Sequence, residues 1–119
     1  MVEELVRCQP WLEAALERAN GTHTISDVVE AIAAGSMQFW PAPRGCAVTE
    51  IIKYPNKKVL HVFLAGGELD QIVEMDGSAA EFARMNGCTA MTIAGRKGWA
   101  KVLKDKGYKE AFTVLAKEL

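Results

Sequence analysis

The chain has 119 residues and a mass of 13.0 kDa, enough for one domain spanning 1–119 with a single core and too little for a separate regulatory module. Half of it is hydrophobic, 24% is charged and the net charge is −1, which excludes a disordered chain and leaves no basic excess for binding duplex nucleic acid. Cys8, Cys46 and Cys88 are widely spaced with no C-x-x-C pair, Glu3 and Glu4 stand where a leader would be basic, and no apolar run approaches membrane-spanning length; a soluble, untargeted protein of the reducing cytoplasm is expected.

Pro10 to Ala19 predicts a first helix, with proline in its first turn and Trp11, Leu12, Ala15, Leu16 and Ala19 forming one apolar stripe before Asn20-Gly21. Ser26 or Asp27 can cap a second helix that buries Val28, Val29, Ile32 and Ala33 and stops at Gly35. Three strands follow: Met37 to Trp40, Ala47 to Tyr54 and Lys58 to Leu64, punctuated by Pro41, Pro43 and Gly45 and then by Pro55-Asn56. The short second turn makes the latter two antiparallel neighbours. Leu64-Ala65-Gly66-Gly67 leads into a third helix carrying Leu69, Ile72, Val73, Ala79, Ala80 and Ala83, with Gly77 in its middle and Asn86-Gly87 at its end.

Thr89 to Ile93 reads as a fourth strand, Trp99 to Lys106 as a short helix closed by Gly107, and Glu110 to Leu115 as a fifth strand. The order is α-α-β-β-β-α-β-α-β. An alternating α/β half joined to a strand meander gives an α/β fold with one mixed sheet flanked by helices.

Trp40, Val48-Thr49-Glu50-Ile51, Leu64-Ala65-Gly66-Gly67, Ala83 to Cys88, Gly95-Arg96-Lys97-Gly98-Trp99 and the Gly107-Tyr108 stop, in this order of elements, resemble the GNAT N-acetyltransferases. The chain is most similar to the small GNAT-like proteins of tailed phages and prophages. The resemblance implies acetyl-CoA in a wedge between the strands Lys58 to Leu64 and Thr89 to Ile93. It places the pyrophosphate on Leu64, Ala65, Gly66 and Gly67, where amides and the helix dipole attract anions. It also implies a homodimer. The family's first strand has no counterpart, because the chain starts at a helix.

Three positions depart from the family pattern. Leu64 to Leu69 lacks its Gln/Arg-x-x-Gly-x-Gly/Ala signature and puts Glu68 and Asp70, which repel phosphate, at the start of the helix. The position four residues before Gly107, where the family often has a tyrosine that protonates the leaving thiolate, is Leu103. Its helix-opening asparagine corresponds to Arg96.

His61 shares a strand face with Val59 and Phe63, and Glu50 shares one with Val48 and Ile52; either side chain is a candidate base for a substrate amine, or a structural residue. Arg96 and Lys97, with Lys101, Lys104, Lys106 and Lys109, gather positive charge that suits the phosphates of CoA, a partner's acidic surface or plain solvation. His23 is too isolated for a metal site, and none is expected. Cys46 and Cys88 read as core residues, and Trp40 as core or, if exposed, an interface anchor. Two functions stay open: an acetyl-CoA-dependent N-acyltransferase with an altered active site, and a non-catalytic phage structural or host-interaction protein.

Overall fold

The computed structural model describes residues 2–95 and 97–119. Helix α1 (Val2–Leu16) and helix α2 (Ile25–Ala34) precede three strands, β1 (Met37–Ala42), β2 (Gly45–Tyr54) and β3 (Lys57–Gly67). Helix α3 (Leu69–Met85), strand β4 (Ala90–Ile93) and helix α4 (Lys97–Leu103) follow, and a 3-10 turn over Lys104–Lys106 closes the regular structure. The sheet runs β1-β2-β3-β4, antiparallel through the first three strands and parallel between β3 and β4. The expected mixed sheet flanked by helices is therefore the architecture.

Each face of the sheet has its own core. On one face Cys8, Leu12 and Leu16 of α1 and Val28 of α2 pack on Met37, Cys46, Val48 and Leu64. On the other, Ala79 and Ala83 of α3 cover Leu60 and Cys88, with Trp40, Ile51, Phe82 and Met91 around them. The three cysteines are free and buried, as the reading of Cys46 and Cys88 as small core residues predicts.

Besides the single core, which is two, and the expected burial of Val29 and Ala33, which face solvent on α2, three sequence expectations change. Helix α1 begins at Val2, so Pro10 lies inside it and not in its first turn. The proline faces solvent, where the carbonyl it leaves unbonded can meet water, while Cys8, Leu12 and Leu16 hold the buried stripe across it. The cap of α2 is Thr24: its hydroxyl accepts from the Asp27 amide at 3.2 Å, and the Asp27 carboxylate accepts from the Thr24 amide at 2.8 Å. This reciprocal pair holds the Asp27 carboxyl below its ordinary pKa, the backbone bond contributing most.

The third change is the fifth strand. Residues 108–119 carry no regular secondary structure, and Glu110 to Leu115 are exposed. Gly107 does end the last helical segment in the left-handed conformation, at φ 92°. Strand composition alone does not make a strand, since the backbone needs a partner ladder to pair with.

Candidate functional site

Strand β3 is longer than its parallel neighbour. Pairing with β4 runs from Val59↔Ala90 to Val62↔Ile93, and a last bond joins the Ala94 amide to the Val62 carbonyl at 3.5 Å. Beyond it β3 continues through Phe63 to Gly67 while β4 has ended. Among the described residues no backbone bond joins these two segments, so the strands part here. A bulge falls at the same place: Val48 pairs with Leu64 but Thr49 pairs with Val62, which leaves Phe63 as an extra residue in β3. Bulges bend a strand and sharpen its twist. The bulge and the end of the parallel ladder therefore fall at the same point of β3.

Immediately before the bulge, the register sets Glu50 opposite His61 and His61 opposite Thr92. The three side chains form one row across β2, β3 and β4, on the face covered by α1 and α2. His61 Nδ1 lies 2.8 Å from Thr92 Oγ1. Burial pushes the His61 pKa below its ordinary value, and the Glu50 charge opposes that shift. The neutral imidazole is thus favoured near pH 7. His61 and Glu50 are the two bases suggested by the sequence, and the sheet makes them neighbours. Thr92 was hidden from sequence reasoning because a threonine within an apolar strand gives no signal of its cross-strand partner. His23, in the α1–α2 loop, stacks on the bulged Phe63 with ring centroids 4.6 Å apart; it is an aromatic neighbour of the parting strands.

At the start of α3, Leu64 is buried, Gly66 lies against Trp11 of α1, and Gly67 lies against Arg44 and Gly45 of the β1–β2 turn. Ala65 pairs with Ala47. The Glu68 amide, at the N-cap, donates to the Arg44 carbonyl at 2.8 Å, and the Arg44 amide donates to Gln71 Oε1 at 3.1 Å. The Arg44 guanidinium pairs with Glu68 and, at 3.5 Å, with Asp70. From the other face, Arg7 donates to the Ala42 and Pro43 carbonyls at 2.9 and 3.0 Å. The β1–β2 turn is thus tied to α1 and α3 together. Of the remaining sequence candidates, Lys97 opens α4 and Arg96 lies outside the described residues.

The opposite face holds a second polar set. Trp40 Nε1 donates to the buried Thr49 hydroxyl at 2.9 Å, and Thr49 donates to Gln38 Oε1 at 2.8 Å. Trp40 meets Phe82 edge-on at 5.7 Å, so the core reading of this tryptophan holds. Tyr108 donates to Asp76 Oδ1 at 2.7 Å. Burial, followed by the Asp76 carboxylate, raises the Tyr108 pKa well above the ordinary phenol value. Leu103 is buried against a small cavity that Met91, Asp76 and Tyr108 also line. Among the described residues no three His, Cys, Asp or Glu side chains converge as a metal site.

No family model matches the chain, and no curated protein matches it in sequence. Solved structures do match. The protein TTHA1254 of Thermus thermophilus aligns with 100% of this chain and 92% of its own, at 16% identity and a TM-score of 0.68. A Trypanosoma brucei acetyltransferase covers 80% of this chain and 78% of its own, at 12% identity and a TM-score of 0.63. A GNAT family acetyltransferase of Staphylococcus aureus covers 82% and 78%, at 11% identity and a TM-score of 0.56.

The fold is GNAT-like. At these identities the likeness concerns the fold and leaves the chemistry to the site. From Phe63 onward β3 has no bonded neighbour on its β4 side among the described residues, so this stretch of edge is the part of the sheet left to meet another extended group. The start of α3 does not suit the phosphates in its present form. Its N-cap amide is already bonded, and the charges beside it are the Glu68 and Asp70 carboxylates with Arg44 between them.

Proposed function

We propose that this GNAT-like domain transfers an acyl group to an amine, with His61 accepting the proton of the attacking nitrogen. The observation that carries this reading is the Glu50–His61–Thr92 row beside the point where β3 and β4 part. With Nδ1–H donating to Thr92 Oγ1, the imidazole keeps its lone pair on Nε2. Glu50, opposite on β2, stabilises the imidazolium that forms. Burial favours the neutral ring at the outset, so the base is ready near neutral pH. Acetyl-CoA, the donor suggested by the acetyltransferases of this fold, would supply its acyl group as an activated thioester. Leu64 to Gly67 and the basic Arg96 and Lys97 are the positions proposed to lie along it.

Titrating the protein with acetyl-CoA by calorimetry, at ligand concentrations up to about 1 mM, is expected to give saturable heat; a flat trace removes this donor. With a panel of amines, His61→Gln is expected to lower turnover by about 10²-fold or more while leaving donor binding unchanged. Equal turnover in the variant removes His61 as the base.

A second reading, a non-catalytic interaction protein with a phage or host partner, draws on two observations. Arg44 engages the start of α3, and Leu103 stands where the family often places a hydroxyl. It predicts a partner retained in pull-downs by the exposed Lys101, Lys104 and Lys106 and lost when they are reversed to glutamate.

A further inference from the structure

We infer that Cys8 and Cys46 are an oxidation site, closing to a disulfide that pins α1 to β2. Two contacts set the helix over this strand. Arg7 bonds to the Ala42 and Pro43 carbonyls at the β1–β2 turn. Trp11 lies against Gly66, the cross-strand partner of Cys46. Cys8 stands between those anchors on the buried side of the helix and shares its core with Cys46. Both residues are 0% exposed, and their sulfhydryls are within hydrogen-bonding reach of one another. Cys88 packs on the other face of the sheet, in the core under α3.

The pair is closed to solvent while α1 is docked. Burial, and then the neighbouring Cys8, push the Cys46 thiol well above its ordinary pKa, and a protonated thiol is a poor nucleophile. The way in is the amino-terminal half of α1. Among the described residues Cys8 is the first buried one, with Val2 and Val6 largely exposed before it. Pro10 has no amide to donate to the Val6 carbonyl, so the turns that carry Cys8 lack one rung of the helix ladder. Fraying of this half frees Cys8 while Leu12 and Leu16 stay in the core, and such local openings cost less than unfolding.

The oxidant is a small disulfide of the glutathione class. The freed Cys8 thiolate attacks one of its sulfurs, forming a mixed disulfide and expelling one thiolate, which takes up the proton that Cys8 lost. As α1 returns toward the sheet, Cys46 Sγ attacks Cys8 Sγ, and the second small thiol leaves with the Cys46 proton. Two protein thiols are thus oxidised to one disulfide, and the reagent is reduced to two thiols. The fold brings the two sulfurs together, so the second step is intramolecular and outruns capture by another molecule. The bond fastens the helix whose Trp11 backs the Gly66 end of β3.

The test incubates the full chain with oxidised glutathione under native conditions, alkylates the remaining thiols and digests with trypsin. The three cysteines fall in separate peptides, 8–18, 45–53 and 85–96. Peptide 8–18 is expected to be joined to 45–53 with Cys88 alkylated. The melting temperature is expected to rise by about 10 °C and to return on adding dithiothreitol. Cys88→Ser should keep both the link and the shift, and oxidation in denaturant should add links to Cys88 in the unsubstituted chain. No link between 8–18 and 45–53, a native link to Cys88, glutathione retained as a stable adduct, or a link that leaves the melting temperature unchanged or lower would overturn the inference. None of these outcomes depends on acyl transfer.

Discussion

Gly67 holds φ at 98°, and a β-carbon there would sit inside van der Waals contact with the Arg44 carbonyl and Gly45. Gly67→Ala therefore combines left-handed strain with a backbone clash, and chemical denaturation is expected to show a loss of about 2 kcal/mol or more. The family resemblance implied a phosphate contact at this glycine; its close approach to Arg44 and Gly45 shows why a side chain is not tolerated. His61 gives a second residue-scale expectation. Its folded pKa lies below the ordinary 6.5. Above that pH both folded and unfolded chains hold it neutral and no stability is lost. As pH falls below about 6.5, the unfolded chain takes up the proton first, so stability drops until the folded imidazole also titrates. Melting curves should show this decline between about pH 6.5 and 5, before carboxylates titrate. His61→Gln should flatten it.

At the scale of elements, β3 does more than its composition announced. Val59, His61 and Phe63 share a face as alternation predicts, but the bulge at Phe63 then places Leu64 on that face too. One extra residue thus redirects the strand just after its last bond to β4. No local signal marks a bulge of this kind, because the two-against-one count is defined only against the partner strand. The β1–β2 hairpin is similarly defined by what it touches. Thr49 is 1% exposed, accepts from Trp40 Nε1 and donates to Gln38. Thr49→Val keeps the shape but leaves the indole N–H unpaired in the core, a cost of about 1–3 kcal/mol. The test is the unfolding midpoint of Thr49→Val beside that of Trp40→Phe, which removes the stranded donor and should partly offset the loss in the double variant.

Across the whole molecule, two cores share one sheet, and their separation decides which parts of the candidate site can be altered safely. Leu12 of α1 is 0% exposed in the core shared by α1, α2, Cys46, Val48 and Leu64. Leu12→Ala is expected to cost about 2–5 kcal/mol, with the exact value set by how far the site collapses. The lysines of the last helical segment lie outside both cores, so reversing them should leave the melting temperature nearly unchanged.

The chain by itself determined the number, type and order of its elements through Gly107, because helical and strand periods, glycine stops and turn residues are local properties. It also nominated His61 and Glu50 from residue type and strand alternation. What only the tertiary structure decided was adjacency. That Glu50, His61 and Thr92 form one row, that Arg44 reaches the start of α3, and that β3 and β4 part after Val62 are all consequences of register between segments distant in the chain. The one strand that local composition demanded and the single chain did not form, Glu110 to Leu115, shows the same division. A residue's backbone preference is written beside it in the sequence, but a strand exists only when some other backbone completes its hydrogen bonds.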